Sequence, residues 1–166
     1  MVVTATETLA EFVATTRLAD IPADVVARGR EILADCIGCM VAGTAAPEVQ
    51  RLIGLQVGRG DPAATVLGTG QRLALDAAAF INGTAGTWHD LDEGNLSTRT
   101  HAAIQIVPAA LAEAEARALS GERLIETLVL AYEASARLWR AHGGSRRAGR
   151  AWAETDGRIC GSRRLH

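Results

Sequence analysis

Apolar residues recur every three to four positions through most of the first 140 residues, the spacing of helices that bury one face. Leu9, Phe12 and Val13 share one face of a short first helix, and Glu7 stands where a negative charge favours a helix N-terminus. Pro22 stops that helix, and Asp24 suits the opening turn of the next. From Val25 to about Val41 the positions Ile32, Leu33, Cys36, Ile37, Met40 and Val41 wrap more than one face, which predicts a central, buried helix. Gly43 ends it, and a further short helix follows with Pro47 in its first turn. Strand character competes in one place: Thr65, Val66 and Leu67 precede Gly68-Thr69-Gly70, so a short β-hairpin is expected near 64–73. Ala74–Trp88 reads as helix, with Gly83 and Gly86 weakening it or allowing a close backbone approach. After a polar loop over Asp90–Thr100, Ile104, Val107, Leu111, Ala114 and Ala118 mark a helix from about Ala103 to Ala118. Ser120 caps a last helix whose apolar face is Leu124, Leu128, Tyr132, Ser135 and Trp139. The expectation is an all-α helical bundle over residues 1–140. Residues 141–166, rich in Arg, Gly, Ser and Ala, lack an apolar period and read as a disordered or poorly packed tail.

Composition sharpens this picture. Hydrophobic residues make up 48% but aromatics only 4%, so a core must be built from Ala, Leu, Val and Ile, which suits closely packed helices. A formal net charge of −2 gives no global reason to expect nucleic-acid or membrane binding. All 17 basic residues are arginine, which with the abundant Ala and Gly suggests a GC-rich coding sequence. Residues 1–140 set 11 arginines against 17 acids, whereas residues 141–166 set 6 against Glu154 and Asp156. Only Trp152 is interleaved with those tail arginines, so a nucleic-acid arm is the weaker reading. Three cysteines do not make a disulfide framework, Met1–Thr8 lacks the pattern of a signal peptide, and Ile32–Ala42 is too short to span a bilayer. A cytoplasmic location is the default expectation.

Candidate chemistry gathers in the loop. His89 beside Asp92 and Glu93 is either a proton-transfer set or a helix end, where a cationic histidine favours the dipole and the acids are solvated. His101 opens the following helix after Ser97, Thr98, Arg99 and Thr100. Free N–H groups there, with Arg99, would receive a substrate carboxylate; alternatively Thr98 or Thr100 is an ordinary cap and His101 a surface residue. A metal held by His89, Asp92 and His101 is the least favoured reading, because no recognised ligand spacing is present. Cys36-Ile-Gly-Cys39 matches C-x-x-C but lies inside an apolar helix, which makes both cysteines core residues. The turn GTGQRL lacks the lysine and spacing of a phosphate loop.

Three passages together resemble the MmgE/PrpD family, which includes 2-methylcitrate dehydratase and cis-aconitate decarboxylase. They are REILADCIGCMVAG at 30–43, AAFINGTAGTWHDLDEGN at 78–95 and THAAIQIVPAALAEAEA at 100–116, and SGERLIETLVLAYEASARL at 120–138 continues the pattern. Two departures leave the substrate open: Ala102 stands where the family usually has proline, and the loop is similar to the LDEGN-type branch. The resemblance implies part of the family's helical domain and lyase chemistry on a small di- or tricarboxylate, without metal or organic cofactor, in a homodimer. It assigns Asp92 as the loop acid and His101 as acid, base or carboxylate ligand. His89 is a supporting candidate, with Arg99 and Thr100 as substrate contacts.

The resemblance runs from about Glu7 to Trp139, roughly the opening third of a family member. The text beyond it reads like an out-of-frame translation, so truncation or a frameshift near residue 140 is expected. A chain of this extent is expected to lack a complete active site and to be inactive alone. The alternative expectation is a non-catalytic helical protein that acts by association.

Overall fold

The computed structural model describes residues 4–141. The expected Arg/Gly-rich tail therefore lies, apart from Ala141, outside the described residues. The order of elements is α1 (Ala5–Thr15), a 3-10 turn (Leu18–Asp20), α2 (Ala23–Gly43), α3 (Pro47–Gln56), β1 (Ala64–Val66), β2 (Gln71–Leu73), α4 (Leu75–Thr87), α5 (Ala102–Ala116) and α6 (Gly121–Ala141). The all-α expectation holds, and so does the short antiparallel hairpin, in which Ala64 pairs with Leu73 and Val66 with Gln71.

Local chemistry accounts for the element ends. Thr4 and Glu7 form a capping box, in which the Glu7 N–H donates to Thr4 Oγ1 at 3.2 Å and the Thr4 N–H donates to Glu7 Oε2 at 2.7 Å. Pro47 occupies the first turn of α3, where its missing N–H costs nothing. Gly68 and Gly70 turn the hairpin with positive φ angles of 82° and 69°.

The core is mainly aliphatic, and none of its buried side chains among the described residues is aromatic. One cluster joins α3, the hairpin and α4 through Val49, Ile53, Val66, Leu73 and Ile81; a second joins α2, α5 and α6 through Cys36, Met40, Ile104, Val107 and Leu128. Asn82 is the buried polar tie between α4 and the hairpin. Its Oδ1 accepts from the Leu67 N–H at 3.0 Å and its Nδ2 donates to the Thr65 carbonyl at 2.9 Å, so both ends of the amide are satisfied. The Glu115 carboxylate of α5 also holds the hairpin: it accepts from the Thr65 N–H and hydroxyl and pairs with Arg72.

Two expectations need correction. Residue α2 positions Gly29, Cys36, Met40 and Gly43 are buried, but Val41 is 46% exposed and Ile32, Leu33 and Ile37 are half-buried. The helix is thus amphipathic rather than central, because α4, α5 and α6 pack on one side of it. In α6 the buried positions are Ile125, Glu126, Leu128, Leu130 and Ala136, while Trp139 is exposed. The buried stripe is rotated from the expected one because the α6 surface is shared between α5, α2 and the 3-10 turn, whose Leu18 N–H donates to Glu126 at 2.7 Å.

The close approach expected at Gly86 is present. A Cβ there would run into the Ile104 side chain of α5, and one at Gly43 would fall on the Ala85 carbonyl of α4. Gly83 faces Pro108, 3.6 Å from where its Cβ would lie, at the point where α5 carries a proline in its interior. Gly43→Ala, which presses on backbone, is therefore expected to destabilise the chain by about 1–3 kcal/mol, and more than Gly86→Ala, which presses on a side-chain end. Gly38, with nothing near its Cβ position in mid-helix, should behave oppositely: Gly38→Ala should stabilise by about 0.5–1 kcal/mol. Urea denaturation of the three variants measures the order, and equal effects at 43 and 38 would contradict the helix contact.

Candidate functional site

The loop between α4 and α5 doubles back on itself. Asn95 and Thr100 form an isolated antiparallel bridge, with the Asn95 N–H donating to the Thr100 carbonyl at 2.8 Å and the Arg99 N–H to the Asn95 carbonyl at 2.6 Å. The Asn95 side-chain oxygen accepts from the Ser97 and Thr98 N–H groups at 3.0 and 3.2 Å, an Asx turn that tightens the reversal. Arg99 takes up the left-handed conformation, at φ 55°. The bridge sets the residues on its two sides next to each other, so Asp92 and Glu93 meet the start of α5.

Asp92 and His101 are paired there. His101 Nδ1 lies 3.0 Å from Asp92 Oδ2; the aspartate side chain is 3% exposed and the imidazole 49%. With Asp92 ionised, the contact needs the proton on Nδ1, which leaves the Nε2 lone pair available. A nearly enclosed carboxylate backing a half-exposed imidazole is an arrangement for moving protons.

Glu93 occupies the adjacent position and reaches two further elements. Its Oε2 accepts from the Ala103 N–H at 3.0 Å, in the first turn of α5, and its Oε1 accepts from the Tyr132 hydroxyl of α6 at 2.7 Å. Burial raises its carboxyl pKa, outweighing the lowering by those two bonds and by His101. Burial and the bond to Glu93 push the Tyr132 phenol up to about 12. Beside these residues lies an open cleft of about 840 Å³, bordered by Arg28, Glu31, Asp35, Asp92, Glu93 and Tyr132. A neighbouring groove of about 560 Å³, walled by Phe12, Val25, Ile32 and Leu128, is mainly apolar and has no histidine in its wall.

The remaining candidates are placed differently. His89 is exposed just beyond α4 and has no hydrogen bond or ion pair among the described residues; it is not joined to the Asp92–His101 contact. Arg99 is exposed, and its guanidinium is likewise unpaired among the described residues. The Thr100 hydroxyl bonds to that of the fully buried Thr98 at 2.8 Å. Neither threonine caps α5: its N-cap position is His101, which makes no side-chain cap bond, and Glu93 takes the Ala103 N–H instead. The anion position that the sequence offers to a substrate is thus partly filled by the chain's own carboxylate.

Tyr132 was legible only as a core position. The signal that points further is its hydroxyl, which needs a partner when the ring is packed among apolar side chains. Cys36 is fully buried, its thiol pushed up to about 12 by burial, and the half-buried Cys39 is also raised by burial; neither has the lowered pKa of a reactive cysteine. Among the described residues no group of three or more His, Cys, Asp or Glu side chains is placed to hold a metal ion. No single described helix is long and apolar enough to cross a membrane.

Comparison with known proteins agrees with the residue-level resemblance. The family model of the MmgE/PrpD N-terminal domain matches residues 7–157, continuing past Trp139. A cis-aconitate decarboxylase-like protein of Aspergillus oryzae is 28% identical over 155 residues, covering 89% of this chain and 32% of its own length. A cis-aconitate decarboxylase of Aspergillus terreus is 29% identical over 139 residues, covering 80% of this chain and 28% of its own length. The chain therefore spans about a third of the curated relatives it matches. No solved structure matches it significantly.

Tyr132 is the single tyrosine of the chain, so tyrosinate absorbance reports it alone. Its midpoint is expected near about 12, and Glu93→Gln should bring it down toward the ordinary value of about 10. Because the folded value is raised, the stability this group contributes is full below about pH 10 and is lost as pH rises through the folded midpoint. A wild-type midpoint at the ordinary value would mean that the Tyr132–Glu93 bond is not made in solution.

Proposed function

The chain belongs to the MmgE/PrpD family, and we propose that its Asp92–His101 pair is the proton-transfer element of a lyase. The substrate class is a small di- or tricarboxylate, and the reaction is dehydration, decarboxylation or a related step. The observation that carries this reading is the half-exposed imidazole held 3.0 Å from a nearly enclosed carboxylate. For a dehydration, Nε2 takes the proton beside the carboxylate and, as imidazolium, gives it to the departing hydroxyl, which leaves as water. For a decarboxylation, the imidazolium instead protonates the carbanion left when CO2 departs. In both, Asp92 holds the ring and stabilises its cationic form. The names of the Aspergillus relatives, cis-aconitate decarboxylase and a decarboxylase-like protein, support the class.

Removing a proton beside a carboxylate also requires positive groups or donors that stabilise the charge that develops. The cleft next to Asp92 offers the reverse. Glu31, Asp35, Asp92 and Glu93 border it, and its arginine, Arg28, is already paired with Glu31 at 2.8 Å. Arg99, with Thr100 next to it, is a candidate substrate contact, since its guanidinium is unpaired among the described residues. We therefore read the site of residues 4–141 as part of a catalytic centre, with Arg99 contributing to anion binding and the remaining anion-binding groups supplied from outside these residues, and the 166-residue chain as having little or no turnover alone. The reading includes a cytoplasmic homodimer. A second reading, a helical protein acting by association, draws on Leu55, Phe80, Leu96 and Leu138, each more than half exposed.

Incubation of the purified chain with cis-aconitate or 2-methylcitrate, followed by NMR, is expected to show no conversion above the blank. Conversion abolished by His101→Ala or Asp92→Asn would keep the pair and overturn the incompleteness; conversion untouched by either substitution would remove the pair from the mechanism. Thermal melts with small polycarboxylates, run beside light scattering, separate the two readings. A ligand shift lost in Arg99→Ala favours the enzyme, whereas concentration-dependent association with no ligand response favours the second.

A further inference from the structure

Glu93 is the one carboxylate in the cleft that ties three separate parts of the chain. It sits next to Asp92 in the loop, bonds through Oε2 to the N–H of Ala103, two residues after His101, and bonds through Oε1 to Tyr132 of α6. The groups around it come from every neighbouring element: Arg28, Glu31, Asp35 and Cys36 of α2, Asp92 of the loop, His101 at the start of α5, and Tyr132 of α6.

We propose that Glu93 and Tyr132 form a positioning pair for the Asp92–His101 contact, the phenol fixing the carboxylate and the carboxylate fixing the loop against α5. The inference rests on the reading of Asp92 and His101 as the proton-transfer element. The ring of His101 is half exposed and is held by one carboxylate contact. That contact survives only if the backbone at 92 and the backbone at 101 keep their separation. The Asn95–Thr100 bridge closes the loop on its far side, and Glu93 closes it on the near side. Tyr132 makes the second closure directional: a carboxylate held at both oxygens has one rotamer, whereas one held at a single oxygen swings. The burial that raises the Glu93 pKa is tolerated here without leaving an oxygen unpartnered.

A mere helix cap would behave differently. Removing it would lower the melting temperature and leave the protonation of the His101 ring unchanged. The test is therefore the tautomer of His101, read from its ring nitrogens by ¹⁵N NMR at about pH 9, above the ordinary histidine range, and assigned by its absence in His101→Ala. Wild type is expected to carry the proton on Nδ1. In Glu93→Ala and in Tyr132→Phe that preference should be lost, the two nitrogens moving to the averaged shifts of exchanging tautomers. Glu93→Gln, which keeps an acceptor oxygen and the side-chain length, should restore it at least in part. Retention of the wild-type tautomer in folded Glu93→Ala overturns the positioning role. If that variant fails to fold by circular dichroism, Tyr132→Phe decides in the same way, because its ring still packs. A wild-type ring without the Nδ1 proton removes the Asp92–His101 pair itself, and with it the reading beneath this inference; retention in the variants removes the positioning role alone.

Discussion

The position of α4 against its neighbours is the constraint from which the rest of the arrangement follows. Gly43 lets α2 touch the α4 backbone at Ala85, and Gly86 lets α5 bring Ile104 into the space a side chain would fill. With aromatic residues at 4% of the chain, apolar burial depends on short aliphatic side chains, and these bury enough area only when helix axes come close. The same closeness fixes where α4 ends and α5 begins, and the loop joining them carries Asp92 and Glu93. A polar loop of this length could wander; here both its anchors are set by packing that lies outside it.

Electrostatics then divides the labour between two neighbouring acids. Asp92 is enclosed and faces His101, whereas Glu93 is partly buried, bonded to a phenol and a helix N–H, and pushed toward protonation by its surroundings. Adjacent carboxylates in one small volume repel each other, and each is made tolerable by a different donor. The cleft they border is acidic on the α2 side as well, through Glu31 and Asp35. A proton-handling pair and an environment hostile to anions stand side by side, and a polycarboxylate would need strong cationic help to enter.

Much of the fold was legible because it rests on spacing. The helices over 23–43, 47–56 and 75–87, the hairpin at 64–73 and the glycine contact at 86 follow from periodicity and turn chemistry. The orientation of α2 and α6 was not, since which apolar stripe is covered depends on neighbours that a single helix pattern does not reveal. At the site, residue type groups Asp92 with His89 and sets His101 apart; the family resemblance singles out Asp92 and His101, and the structure joins them. His89, equally attractive as a type, stands apart because the reversal at Asn95–Thr100 brings Asp92 and Glu93, not the end of α4, against the start of α5. Tyr132 was hidden by its own helical spacing, which made it look like core. The pairing of Glu93 with the start of α5 was masked by Thr98 and Thr100, better capping residues in sequence that spend their hydroxyls on each other.

The buried sulfur of Cys36 has a use beyond packing. It sits at zero exposure in the cluster that joins α2, α5 and α6, and its thiol resists ionisation. A reagent that attacks thiolates meets it only in those moments when α2 lifts away from its partners. The rate of alkylation at this one atom is thus a clock for the opening of the helical layer beneath the loop, and it registers excursions too rare for a melting curve to see.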